Sequence, residues 1–501
     1  MAIIAGVLAV ISLDAVARPL LERMIAEGRL PHHAELLGRG HTYALTTTPI
    51  HASIYRSLYT GCRMSTHGVH YPLQWCAAEQ CVKPADGMNP DDSIFTRLER
   101  AGRRLLVVDP PECGVFAPGS SIAMSGWQFT TRFVLPRWDS SPAIARALEH
   151  RFGRSMRCNE VFGRPCPADL RAMHDVLQCA PQRLVDATLE CLKTGEFDFL
   201  WVTFVAAHIA GHQLWRESID APPAGSDREP VLLAGIYEKV DAALGRLLAA
   251  LPPNTDVLFF SGNGMGPETS LADLLPALLT RVLAGKSAVR RDTPSSPVWR
   301  LRAAVPTRVR ARVADVLPDR TALRLAAQLE RTGIDWRQTR AFAPPSDGPG
   351  FVRLNLKGRE RDGIVDSADA EPLLDEIAAG LRTFVDPSGE PIVASVWRPS
   401  DLDAPGPRSH VLPDLIVGWT DKPAVALRAA TSPLYGEVRR HGVGSGRAGN
   451  HPGPTWATVI PGSSRVAPAD GGPLGAIDLA ATICAAMGVP HADLPGRPLL
   501  E

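Results

Sequence analysis

Short, almost unbroken apolar runs, each followed by an amphipathic stretch, constrain this chain more than any other feature. Residues 3–13 form such a run, and residues 16–27 follow it with apolar side chains at Val16, Leu20, Leu21, Met24 and Ile25, the spacing of a helix face. The alternation returns with a strand at 104–109, a helix at 181–192, a strand at 197–204, a long helix at 232–251 and a strand at 256–260. Strands apolar on both faces must be covered on both faces. The pattern therefore predicts an α/β fold with a mostly parallel central sheet and helices on either side.

The composition changes between these blocks. Residues 1–283 read as the first part of the core, with a variable stretch at about 110–175. Residues 284–340 read as an inserted helical cap or linker dense in arginine (Arg290, Arg291, Arg300, Arg302, Arg308, Arg310, Arg312). From 341 to 501 the α/β pattern resumes, with strands at 352–356, 415–418 and 457–460 and a closing helix at 476–487.

Charge and cysteine usage exclude several classes. Lys+Arg and Asp+Glu both number 53, so the net charge is +0 and no nucleic-acid polymer is expected as partner. With 45% hydrophobic residues the chain has material for a large core, not for disorder. Nine cysteines, an odd count with no C-x-x-C pair, read as reduced thiols in the cytoplasm. The apolar opening lacks a basic flank and reads as a strand, not a secretory leader. No stretch supplies the ~20 apolar residues of a membrane span.

Four places put chemically useful residues at strand ends, where open α/β sheets bind ligands. Asp14 closes the first strand. Thr46-Thr47-Thr48-Pro49 places hydroxyls before a helix through Ile54, Tyr55 and Leu58, where free amides would hold phosphoryl oxygens around an attacking hydroxyl. His208-Ile-Ala-Gly-His212 puts two imidazoles on one face of a helical turn, suited to one metal ion. Gly449-Asn-His451 adds a third imidazole in a glycine-rich loop, and three histidines leave a coordination position open, as in catalytic zinc sites.

In this order the motifs resemble the alkaline phosphatase superfamily, more narrowly its type I phosphodiesterase/nucleotide pyrophosphatase-like branch. Thr47-Thr48-Pro49 resembles the nucleophile-x-Pro signature, and Tyr59-Thr60-Gly61 with Ser65-Thr66-His67-Gly68-Val69 resembles the segment that follows it. His208–His212 resembles D-x-x-G-H, Ser261-Gly-Asn-Gly-Met265 resembles S-D-H-G-M, and Gly449-Asn-His451 resembles the late G-x-H. The resemblance implies Thr47 as nucleophile, with Thr46 and Thr48 as alternatives because the interval to Thr60 is about one helical turn longer than usual. It implies Asp14, His208, His212 and His451 as metal ligands. It also exposes a departure: the Asp-His pair of one metal site is Gly262-Asn263, which leaves a second ion poorly held and Asn263 as a hydrogen-bonding group for substrate.

The expected activity is metal-dependent hydrolysis of a phosphodiester or nucleotide-like small molecule, with zinc as the natural cofactor. Two other readings stand beside it: a catalytically impaired homologue that binds an anionic ligand, and a phospho- or sulfo-group transferase of specialised metabolism.

Overall fold

The computed structural model describes residues 7–46, 48–85, 93–114, 116, 119–132, 134–160, 165–215, 231–284, 335–440, 444–462, 464, 466 and 474–500. The proposed cap at 284–340 lies almost wholly outside the described residues, and so does Thr47.

Eight strands form the central sheet, in the order His41–Leu45, Thr455–Ile460, Asp256–Ser261, Leu8–Ser12, Phe199–Thr203, Leu105–Val108, Ile122–Ser125, Trp138–Asp139. The five from Asp256–Ser261 to Ile122–Ser125 are parallel; Thr455–Ile460 and Trp138–Asp139 run against their neighbours. The expected mostly parallel architecture is thus present.

The first strand shows why its sequence is apolar throughout. Ala9 and Ile11 face a core shared with the helices Arg18–Ala26, Pro167–Leu192 and Val231–Leu248. Leu8 and Val10 face the opposite core, built with Ile54–Thr60, Ile94–Arg100 and Ala476–Ala486. Both faces exclude water, and a polar residue at either parity would cost more than it returns.

Two sequence expectations change. The helix expected at 181–192 begins fourteen residues earlier and spans Pro167–Leu192 with Pro181 inside it. An internal proline costs roughly 3 kcal/mol, but Leu170, Met173, Leu177 and Leu184 are all buried along this helix, and their burial at about 1.5–3 kcal/mol each outweighs that cost. Cys166 and Asp169 cap its start. Second, the strands expected at 352–356 and 415–418 do not rejoin the central sheet. They lie in a separate antiparallel sheet, Ala341–Phe342, Gly350–Leu354, Leu415–Trp419, Val393–Trp397, packed with the helices Leu275–Ala284 and Ser367–Leu381 around its own core. An apolar run specifies burial, not the strand it pairs with. Only Thr455–Ile460 returns to the first sheet.

Candidate metal centre

The carboxyl ends of the parallel strands form the crevice. The strand Leu8–Ser12 ends in Asp14, which adopts φ 37°, a left-handed conformation uncommon for a residue with a Cβ. The turn is held by Leu13 N–H on Phe260 O (2.9 Å) and by Asn263 N–H on Asp14 O (3.0 Å). Short parallel bridges, Asn263 to Ala15 and Gly264 to Val16, carry the pairing past the sheet edge.

The next strand, Phe199–Thr203, runs directly into the helix Ala206–Leu214, which is buried along its whole length and carries His208 and His212 on one face. His451 arrives from a loop 240 residues further on. Close backbone approach allows this: a Cβ on Gly449 would stand 2.3 Å from Gly211 O, and one on Gly211 would stand 2.7 Å from Met265 Cγ. Glycine is required at 449 because the loop lies against the helix backbone, whereas a side chain at 211 would meet the flexible Met265 side chain.

The three imidazoles converge, with ring centroids 4.7–4.9 Å apart. Each donates its Nδ1 proton outward: His208 to Asp14 Oδ2 (2.5 Å), His212 to Gly449 O (2.9 Å), His451 to Gly264 O (3.0 Å). These partners set the tautomer and leave every Nε2 lone pair facing the centre. His208 Nε2 and His212 Nε2 are 2.9 Å apart, and ligand atoms of all three histidines lie within 4.8 Å of one another. Burial, followed by the Arg447 charge, holds His212 well below the usual imidazole range; burial and the neighbouring histidines do the same for His451. Neutral imidazoles are the form that binds a metal.

The surrounding charges fit a divalent cation. Arg447 is buried between Glu160 (2.6 and 2.9 Å) and Asp347 (2.6 Å). Arg447 thus has two carboxylates around one guanidinium, which leaves net negative charge beside the three imidazoles, and the Asp14 carboxylate raises His208 against the lowering effect of its burial. Among the described residues this is the one group of His, Cys, Asp or Glu side chains close enough together to hold an ion.

The Asp14 carboxylate is engaged with His208 Nδ1 and does not stand among the three convergent ligand atoms. The position expected for a second ion offers little. A Cβ on Gly262 would already touch Ile54 Cγ2 (3.4 Å) and Tyr55 Cζ (3.6 Å). Tyr55 fills this corner with its hydroxyl 3.1 Å from Ser12 Oγ, and burial together with the Asp14 charge pushes the phenol well above its ordinary value. Asn263 is buried with no hydrogen bond to its Oδ1, an open polar atom in the crevice.

The hydroxyl cluster differs from expectation. The helix after Pro49 starts at Ile54 behind a 3₁₀ turn at His51–Ser53, so Thr46 and Thr48 are separated from its first residue by that turn. Thr48 Oγ1 donates to Ile50 O (3.0 Å), and Thr46 is exposed with its N–H on Leu474 O. Thr47 lies outside the described residues.

Sequence reading missed Arg447, Glu160, Asp347, Tyr55, His51 and Glu112. His51 packs its ring 5.0 Å from that of His451. Arg447, four residues before His451, and Glu112, just past the end of Leu105–Val108, carried a positional signal; the other four gave none.

Comparison with known proteins follows this geometry. Phosphonoacetate hydrolase from Sinorhizobium meliloti 1021, in complex with phosphonoformate, superposes with a TM-score of 0.53 at 14% identity, over 97% of this chain and 96% of that one. The alkaline phosphatase PafA superposes with a TM-score of 0.52 at 13% identity, over 98% of each chain. At these identities the likeness shows a shared fold. No curated protein matches in sequence. Residues 8–443 match the pattern of the Type I phosphodiesterase / nucleotide pyrophosphatase family, and the chain belongs to that family of phosphoester hydrolases.

Proposed function

We propose that this protein hydrolyses a small anionic phosphodiester of nucleotide type with a single divalent metal ion, zinc, held by His208, His212 and His451. The observation that carries the reading is the convergence of three Nε2 lone pairs, each fixed by an outward hydrogen bond from Nδ1. Three imidazoles with an open position suit zinc. When bound, the ion supplies a Lewis acid that offsets charge on the phosphoryl oxygens and lowers the pKa of the attacking oxygen.

The chain's own residues do the rest. Asp14 holds the His208 ring, and Arg447 with its two carboxylates sets a local field that the cation balances. Asn263 offers an amide to a substrate oxygen or hydroxyl, and Thr47 remains the proposed attacking hydroxyl. The family description, a phosphodiesterase and nucleotide pyrophosphatase, supports the substrate class. The nine cysteines, an odd count with no C-x-x-C pair, support a reducing, cytoplasmic setting, and among the described residues no helix is long and apolar enough to cross a membrane.

The test is elemental analysis of protein purified without chelator, beside hydrolysis of bis(p-nitrophenyl) phosphate and nucleoside phosphodiesters. About one equivalent of zinc, lost in His208→Ala together with turnover, is expected. A second reading, an impaired homologue that binds an anionic ligand, is favoured by Tyr55 standing beside Gly262; one equivalent of metal with ligand binding and no turnover on any ester would establish it.

A further inference from the structure

Among the described residues, four non-glycine residues have positive φ: Asp14, Gln80, Asp109 and Glu112. Such backbone persists only where surrounding structure over-determines it. For three of them the side chain explains the conformation. Asp14 holds His208. Gln80 bonds Asn355 and Arg361. Asp109 accepts from Trp127 N–H, Gln128 N–H and Gln128 Nε2 at 2.9–3.0 Å. Glu112, at φ 54°, differs: among the described residues no donor bonds its carboxyl.

Its backbone is nonetheless pinned at three successive residues. Tyr59 Oη donates to Pro111 O (2.9 Å), Glu112 N–H to Val134 O (2.8 Å), and Trp138 Nε1 to Cys113 O (3.1 Å). The loop follows the carboxyl end of Leu105–Val108, which pairs with Phe199–Thr203, the strand that leads to His208. Rigid backbone therefore holds a carboxyl, without a donor among the described residues, in the loop at the carboxyl end of a strand beside the one that leads to His208.

We propose that Glu112 is the proton donor to the leaving oxygen of the phosphoester, a role that rests on the hydrolase reading above. With one cation in place of two, the leaving oxygen lacks a second Lewis acid, and a proton does the same work. As the bond from phosphorus to the leaving oxygen breaks, its electron pair stays on that oxygen and takes the Glu112 proton, releasing an alcohol. The attacking oxygen, Thr47 Oγ1 in the reading above, forms the new bond to phosphorus and loses its proton to solvent, from which Glu112 is reprotonated; a water oxygen then attacks phosphorus, the bond to Thr47 breaks with its electron pair on Thr47 Oγ1, and that oxygen takes up the proton the water gives up. Over the cycle one water is consumed.

The charged and titratable groups near Glu112 come from each neighbouring element: Asp14 after the first strand, His208 from its helix, Arg56, Tyr55 and Tyr59 from Ile54–Thr60, and Asp347 from the loop before Gly350–Leu354. Burial first, then the Asp14 charge, pushes the Glu112 carboxyl up to about 7, against the opposing pull of His208 and Arg56.

Glu112→Gln tests the role, with Glu112→Asp as the conservative variant. On a nucleoside ester, whose alkoxide leaves poorly, kcat falls about 10²- to 10⁴-fold in Glu112→Gln while KM and metal content hold; on a p-nitrophenyl ester, whose phenolate leaves without a proton, the loss is far smaller. Glu112→Asp restores part of the first rate. Equal loss on both esters, or none on either, overturns the role of Glu112 and leaves the hydrolase reading standing; a wild-type protein that cleaves neither ester overturns both. Independently of turnover, the infrared difference between wild-type and Glu112→Gln metal-loaded protein should contain a protonated-carboxyl band that persists toward neutral pH. A carboxylate spectrum already present in mild acid overturns the proton donor.

Discussion

Asp14 Oδ2 accepts a hydrogen bond from His208 Nδ1 at 2.5 Å, across 194 residues of sequence, with Asp14 1% exposed and His208 6% exposed. A carboxylate in this position fixes the imidazole and raises its basicity as a ligand. Asp14→Ala should weaken zinc binding about 10- to 100-fold in competition with a chelator, with the near-ultraviolet circular dichroism retained. Asp14→Asn, which keeps an acceptor, should lose less. Unchanged affinity in both variants would return Asp14 to a purely structural role.

Tyr55 leads to a second expectation. Gly262→Asp with Asn263→His restores the side chains that the family resemblance implies, but the new carboxylate must share space with Ile54 and Tyr55. The double variant should still bind one equivalent of metal and lose about 1–3 kcal/mol of stability through overpacking. Two equivalents by elemental analysis would show that Tyr55 yields.

Acid should destabilise the fold through His67 and His70. His67 accepts Val69 N–H at Nδ1 and donates from Nε2 to Ser57 Oγ, and burial with the Arg56 and Arg408 charges lowers it to about 3; burial lowers His70 to about 4. Both are neutral in the fold, whereas the unfolded chain protonates them below about 6.5. The unfolded state then binds more protons, so stability is lost as pH falls from about 6.5 toward about 4, by roughly 1.4 kcal/mol per pH unit for each histidine. Urea midpoints across this range measure the slope, and His67→Gln should reduce it by one proton's worth; an unaltered slope would exclude His67 as a source.

The second sheet is anchored by a buried ion pair. Glu360 accepts from Arg353 Nε (2.7 Å), Arg359 Nε (3.0 Å) and Trp75 Nε1 (2.7 Å), with Arg353 only 2% exposed. Glu360→Ala strands the Arg353 charge and should cost about 3–5 kcal/mol in urea unfolding. Glu360→Gln should cost less, since an acceptor remains. A loss below about 1 kcal/mol in the alanine variant would mean that water reaches Arg353.

Much of this was legible along the chain because the relevant physics is local. The apolar run ending at Leu13 had to be a strand covered on both faces. His208 and His212, four residues apart on a helix, had to share a face. Tyr55 was not legible as a site residue, because nothing within a few residues distinguishes it from packing, and Glu112 carried only its place just past a strand end.

The sequence by itself determined the class of fold, the spacing of the histidine pair and the family, since these follow from periodicity and from ordered motifs. Only the tertiary structure brought Asp14 onto His208 Nδ1, His451 against the other two imidazoles, Tyr55 beside Gly262, and Glu112 into the loop beyond the strand that pairs with the one leading to His208. Those relationships depend on strand order and on close backbone approach at Gly211 and Gly449, which bring together groups that no local pattern connects.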